Sequence, residues 1–105
     1  MDIITIQEQL ETILNQVDPI TQQYHEAKTD FENLEEQKKV MLAFYSMQYE
    51  GSEAKIQKMA LQSKEYRTWI ETLNLARKEY NRCWALLEGL KIKMDILRSL
   101  NKNLT

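Results

Sequence analysis

The sequence contains few of the residues that break helices or carry out chemistry. Its 105 residues include two glycines, one proline, one cysteine and one histidine. A β-sandwich or barrel needs many turn residues, so the composition disfavours both. A disulfide or cysteine-based metal cluster needs more than one cysteine, so neither can form within one chain. No apolar run approaches the roughly 18 residues of a membrane span, and "MDIITIQEQL" lacks a signal-peptide pattern. We expect a soluble, cytoplasmic, all-α protein.

Charge is abundant but nearly balanced, with a formal net charge of −2. Residues 1–50 carry ten acidic and three basic side chains, a net of −7, whereas residues 51–105 carry eleven basic and six acidic ones, a net of +5. The small total favours neither a polyanion-binding protein nor an acidic tail. Two oppositely charged halves attract each other, which favours packing of one half against the other.

Two long stripes of apolar residues alternate in steps of three and four, the pattern of a coiled coil. Twelve of fourteen stripe positions are apolar in each half, and the two stripes predict two helices of similar length. The first stripe is Ile3, Ile6, Leu10, Ile13, Val17, Ile20, Tyr24, Ala27, Phe31, Leu34, Lys38, Met41, Tyr45 and Gln48. The second is Met59, Gln62, Tyr66, Trp69, Leu73, Ala76, Tyr80, Cys83, Leu87, Leu90, Met94, Leu97, Asn101 and Leu104.

These stripes predict one antiparallel helical hairpin over residues 1–105, with helix 1 at about 3–49, a turn at about 50–52 and helix 2 at about 53–101. Gly51 and Ser52 mark the turn, since Ser52 is a good N-cap for the second helix. Pro19 either kinks helix 1 or, with Asp18 as an N-cap, starts a new helix. The uninterrupted stripe favours the kink.

The sizes of facing residues indicate a register for the hairpin. A turn near residues 53–54 places Phe31 opposite Ala76 and Tyr24 opposite Cys83, so that large residues meet small ones. A register shifted by one heptad remains an alternative.

Further apolar residues lie off the stripes, and a two-helix seam leaves them in water. A helix that is apolar on several sides is normally buried on several sides. We therefore expect a homo-oligomer, most simply a dimer forming a four-helix arrangement, or binding to another protein. The predicted contact residues are Ile4, Leu14, Trp84, Ile92, Ile96 and Leu100.

No group of residues predicts an enzyme or a bound cofactor. His25 and Glu26 are adjacent, so they point about 100° apart on a helix and do not share a ligand-binding face. The acidic run "DFENLEEQ" is typical of a solvated helix face, and a cysteine at a stripe position, as Cys83 is, behaves as a small buried apolar residue. We expect neither catalysis nor a metal site nor a small-molecule substrate.

Basic residues in the second half raise an alternative function. Arg77, Lys91 and Arg98 repeat at heptad spacing beside the stripe, and aromatic residues lie among them. Such a surface can pair with an acidic helix or contact a nucleic-acid backbone, with aromatic rings stacking on single-stranded bases. A single-stranded nucleic-acid-binding accessory protein is therefore the second hypothesis.

Two resemblances add expectations of their own. Tyr49 and Gly51, in "YEG", resemble the Trp-x-Gly turn of WXG100 (ESAT-6-like) secreted hairpins, although tyrosine replaces tryptophan and the C-terminal secretion signal of that family is missing. The second resemblance covers most of residues 34–100. It rests on Gly51, Ser52, Ala60, Ser63, Tyr66, Leu73, Ala76, Leu97, Arg98 and Ser99.

By these residues the chain looks like small coiled-coil proteins of tailed bacteriophages and prophages, found near recombination or replication genes. The resemblance implies a non-enzymatic adaptor in the cytoplasm of a bacterial host, binding proteins that act on DNA. It transfers no catalytic residue.

Overall fold

The computed structural model describes residues 1–104, which form three α-helices and no strand. Helix α1 is Ile3–Ser46, α2 is Glu53–Gln62 and α3 is Lys64–Leu104. Residues further along α1 contact residues that come earlier in α3, so the two helices run antiparallel. The all-α helical hairpin predicted from the two stripes is confirmed.

Contacts divide the chain into two compact units. The terminal unit combines Met1–Ala27 with the chain from Tyr80 onwards, and the turn unit is Lys28–Glu79. Each unit contains its own section of the antiparallel helix pair, and each is described separately below.

The core of the terminal unit consists of residues on the two predicted stripes. Ile6, Ile13, Leu90 and Leu97 are buried, and Leu10, Val17, Ile20 and Met94 pack against them. Complete burial of one such side chain contributes about 1.5–3 kcal/mol, so this seam supplies much of the unit's stability. Cys83 is fully buried, and the Tyr24 and Tyr80 rings lie 5.6 Å apart between centroids.

The N-terminal end of α1 is capped by Asp2. Its Oδ1 accepts a hydrogen bond of 2.7 Å from the Thr5 backbone N–H, and its carbonyl accepts one from Ile6. The Thr5 hydrogen bonds favour the charged carboxylate and lower the pKa of Asp2 below its ordinary value of 3.8. From this cap α1 continues as one helix through Pro19, so no new helix starts at Asp18.

The core of the turn unit includes Leu73 and Tyr66, both on the second stripe. The Tyr66 ring meets Tyr45 of α1 edge to face, with centroids 6.3 Å apart, and stacks on Trp69 at 6.1 Å. These aromatic rings bridge α1 and α3 near the turn. Edge-to-face and offset contacts of this kind stabilise a core beyond the area they bury.

The connection between α1 and α2 is longer than the sequence indicates. Helix α1 ends at Ser46 rather than near residue 49, and residues 47–52 form the connection instead of 50–52. Gly51 has a φ of +131°, a conformation that residues with a Cβ rarely adopt. Ser52 caps α2 as predicted, because its Oγ accepts a hydrogen bond from the Lys55 backbone N–H at 3.3 Å.

The predicted continuous helix at 53–101 is divided at Ser63, which ends α2 and begins α3. The Ser63 backbone N–H and hydroxyl both donate to the Ala60 carbonyl, at 3.1 and 2.7 Å, and its Oγ accepts from the Tyr66 backbone N–H at 3.2 Å. One buried serine therefore supplies both caps, which explains how the backbone leaves helical geometry for a single residue.

This break changes which residues of α2 face the core. The second stripe places Met59 and Gln62 in the core, but both are exposed, and Ala60 and Ser63 are buried in their place. The non-helical residue shifts the helical phase by one position. These two stripe assignments are wrong for that reason.

Candidate interaction surface

The six apolar residues predicted to contact a partner all lie in the terminal unit, and all are exposed. Their exposed fractions run from 40% for Leu100 to 68% for Ile4. Single exposed apolar residues are common, but several within one small unit mark a surface that another molecule covers.

The structure separates these six residues into two sets. Ile96 and Leu100 line a groove of about 560 Å³ between α1 and α3, and Ile92 lies one helical turn before Ile96. Residues spaced four apart share one side of a helix, so these three form a ridge. The groove's full lining is Met1, Gln9, Thr12, Ile13, Gln16, Lys93, Ile96, Leu97 and Leu100.

The other set, Ile4, Leu14 and Trp84, lies on the opposite side of the helix pair. Each of these residues directly follows a seam residue, as Leu14 follows Ile13, whereas the groove residue Ile96 directly precedes the seam residue Leu97. Successive residues of a helix point about 100° apart, so the positions before and after a seam residue face opposite sides. The sequence pattern therefore brings the six residues into one unit but not onto one surface.

We call the groove side of the terminal unit the neutral face. Within residues 3–22 and 84–104, its only charged residues are Glu8 and Lys93, and at its margins Asp2, Glu26 and Arg82 also directly precede stripe residues. It comprises Thr5, Glu8, Gln9, Thr12, Asn15, Gln16, Pro19 and Gln22 from α1, and Ala85, Leu86, Gly89, Ile92, Lys93, Ile96, Ser99, Leu100 and Asn103 from α3.

The opposite side, the charged face, has a different composition. Over the same ranges it comprises Ile4, Gln7, Glu11, Leu14, Asp18 and Thr21 from α1, and Trp84, Glu88, Lys91, Asp95, Arg98 and Lys102 from α3. Seven of these twelve residues are charged. Its three large apolar side chains are therefore isolated among ions, whereas those of the neutral face lie next to one another.

Gly89 lies in the middle of the α3 part of the neutral face. A Cβ added at this glycine would meet no atom within 4 Å. Glycine inside a helix is less favourable than alanine by about 0.8–1 kcal/mol, and no neighbour in the described chain requires its small size. Ala85, four residues earlier, is a second small residue on the neutral face of α3.

The three basic residues proposed for nucleic-acid contact do not form one site within either unit. Arg77 belongs to the turn unit, and Lys91 and Arg98 to the terminal unit. Arg77 Nη2 lies 3.7 Å from Glu35 Oε2, and its guanidinium covers the Phe31 ring at 5.4 Å. Lys91 Nζ lies 3.2 Å from Glu88 Oε1. Two of the three cations are thus paired with acids of the same chain.

Residues that resembled catalytic or metal-binding groups occupy ordinary structural positions. Cys83 is buried in the seam, with Arg82 Nη2 3.8 Å from its Sγ. His25 is exposed and contacts the Tyr24 ring edge to face. Among residues 1–104, no group of three or more His, Cys, Asp or Glu side chains is arranged to hold a metal ion.

One polar atom in the seam lacks a partner. The Oδ1 of Asn101 is buried and accepts no hydrogen bond from the described chain. An unsatisfied buried acceptor costs about 1–3 kcal/mol, so Asn101 weakens the seam near the chain ends.

The sequence pattern did not identify Gly89 or the absence of charge on the neutral face as features of a surface. The sequence does carry a signal for it. Thr5, Gln9, Thr12 and Gln16 each lie directly before a residue of the first stripe, so uncharged residues recur on one side of that stripe.

Comparison of the chain with protein-family models, with curated proteins and with solved structures found no match. Within the described residues, no helix combines the length and apolar character needed to cross a membrane.

Proposed function

We propose that this chain is a non-enzymatic coiled-coil interaction protein that binds a second copy of itself, another protein, or both through the terminal unit. The supporting observation is the exposure of Ile4, Leu14, Trp84, Ile92, Ile96 and Leu100. The helix pair has an ordinary buried seam between its two helices, so these side chains are not needed to complete the fold. Covering them with protein removes apolar surface from water, at roughly 25 cal/mol per Å².

The resemblance to phage and prophage coiled-coil proteins extends this proposal to an accessory role in DNA recombination or replication in a bacterial cytoplasm. In that role the chain joins proteins that act on DNA and does no chemistry itself. The isolated apolar residues of the charged face suit such a partner, because surrounding charges select against wrong partners.

Affinity capture with quantitative mass spectrometry tests this function. The tagged chain is compared with a Leu14→Glu, Trp84→Glu variant and with Gln7→Glu, a matched control that adds a charge on the same face at a residue that is already polar. We expect the wild type and the control to recover a bacterial protein that the double variant does not recover. With both proteins purified, the wild type and the control should bind this partner more tightly than the double variant does. If no purified protein binds, or if the double variant binds the purified protein as tightly as the wild type does, the proposal is wrong.

A further inference from the structure

We propose that the neutral face is a dimer interface and that its occupant is a second copy of this chain. This inference rests on the proposed function and assigns one of its two surfaces to self-association. The charged face, with Ile4, Leu14 and Trp84, is left for a different protein.

Charge favours a second copy on the neutral face. A two-fold interface places one surface against itself, so any excess of one charge sign opposes association. Over residues 3–22 and 84–104 the neutral face has one acid, Glu8, and one base, Lys93, which sum to a formal charge of zero. At its margins Asp2, Glu26 and Arg82 add a net charge of −1, so the face remains close to neutral. Burying the charged face instead would remove seven ions from water, and burial of ions is costly without good pairing.

Gly89 adds a geometric argument. Open space over a mid-helix glycine allows the backbone of another helix to approach closely, and the exposed side chains of Ile92 and Ile96 follow Gly89 along α3. The adjacent groove, lined by Ile96 and Leu100, receives side chains from the second copy. Two helix pairs joined in this way form a four-helix arrangement with a new apolar core.

Sedimentation velocity of matched variants tests the assignment, with far-UV circular dichroism to confirm helical content. We expect the wild type to dimerise and Ile96→Glu to raise the dimer Kd by about 30-fold or more, the effect of losing an interface hot spot. Leu14→Glu, the same change of shape and charge on the other face, should alter Kd by no more than about twofold, as an exposed charge does.

Charge reversal provides a second test that does not disturb the apolar residues. Glu8→Lys gives the neutral face a formal charge of +2 and Lys93→Glu gives it −2, so each should weaken the dimer several-fold at low salt. The two changes together return the face to zero and should restore wild-type affinity.

Three results would overturn the proposal. These are a wild type that stays monomeric, a Leu14→Glu variant that dissociates as much as Ile96→Glu, and a double charge reversal that is no better than the single ones. A monomeric wild type that still binds a partner through Trp84 would refute the dimer and leave the proposed function standing. An intact dimer in a chain that binds no other protein would leave the dimer proposal standing and refute the binding of a different protein through the charged face.

Discussion

Arg77 and Glu35 join α3 to α1 in the turn unit, with 3.7 Å between Nη2 and Oε2. The same guanidinium covers Phe31 and donates to Asn74 Oδ1 at 3.1 Å, so a phosphate group would compete with these contacts for it. The ion pair is half exposed, so its net contribution is small, about 0.2–1 kcal/mol. The ion pair nevertheless engages one of the three cations that the nucleic-acid hypothesis requires.

We therefore predict that the chain does not bind single-stranded DNA in a salt-dependent way. Fluorescence anisotropy with a labelled oligonucleotide at low and high salt measures this. Salt-sensitive binding that disappears in an Arg77→Glu, Lys91→Glu, Arg98→Glu variant would contradict the prediction and favour the nucleic-acid hypothesis, because phosphate contacts release counterions.

Ser63 should be important for stability although it is a small polar residue. Ser63→Ala removes the hydroxyl that bonds both the Ala60 carbonyl and the Tyr66 N–H, so we expect a loss of about 1–2 kcal/mol in urea unfolding. Ser46→Ala is the control, since the Ser46 hydroxyl bonds only the Leu42 carbonyl of its own helix. Equal losses for the two variants would show that capping at Ser63 is not what stabilises the break.

The two glycines should respond to alanine in opposite directions. Gly51→Ala should destabilise the chain by about 1–3 kcal/mol, because φ is +131° there. Gly89→Ala should stabilise it by about 0.5–1 kcal/mol, because it is helical and its Cβ would meet open space.

Both changes are best measured by chemical denaturation in the Ile96→Glu background, where unfolding is not coupled to dimerisation. A stabilising Gly51→Ala would refute the turn geometry. A destabilising Gly89→Ala in that background would show that Gly89 is packed within one chain.

Replacing Asn101 should strengthen the seam. Asn101→Leu removes a buried acceptor with no partner and adds apolar surface beside the core, so we expect a gain of about 1–2 kcal/mol in the free energy of unfolding. Both are measured in the Ile96→Glu background, where Asn103→Leu, an exposed neighbour, is the control and should change stability by less than about 0.5 kcal/mol. A loss of stability in Asn101→Leu would mean that the amide has a hydrogen-bond role.

Most of the fold could be predicted because its signal is regular. The stripes through Ile6, Ile13, Leu90 and Leu97 identify the seam, since only one side of each helix can face the other. The break at Ser63 could not be predicted from the stripes, because its phase shift is set by one residue's capping hydrogen bonds. The end of α1 at Ser46 was missed because the three-four spacing of the first stripe continues to Gln48, although the helix does not.

The candidate surface was predicted only in part. Off-stripe apolar residues such as Ile96 and Trp84 are exposed in the structure, but the pattern alone treated them as one set. Their separation into a neutral and a charged face depends on which side of the seam each residue lies. The molecule that covers each face is not part of this chain, so only the composition of the face indicates its chemistry.

Sedimentation equilibrium of the wild-type chain tests the central claim most directly, because that claim is that protein covers the apolar surface of the terminal unit. We predict a mass approaching 25 kDa, twice the 12.5 kDa of one chain, that falls toward 12.5 kDa on dilution over about a hundredfold range of concentration. A mass of 12.5 kDa at every concentration would contradict self-association through the neutral face.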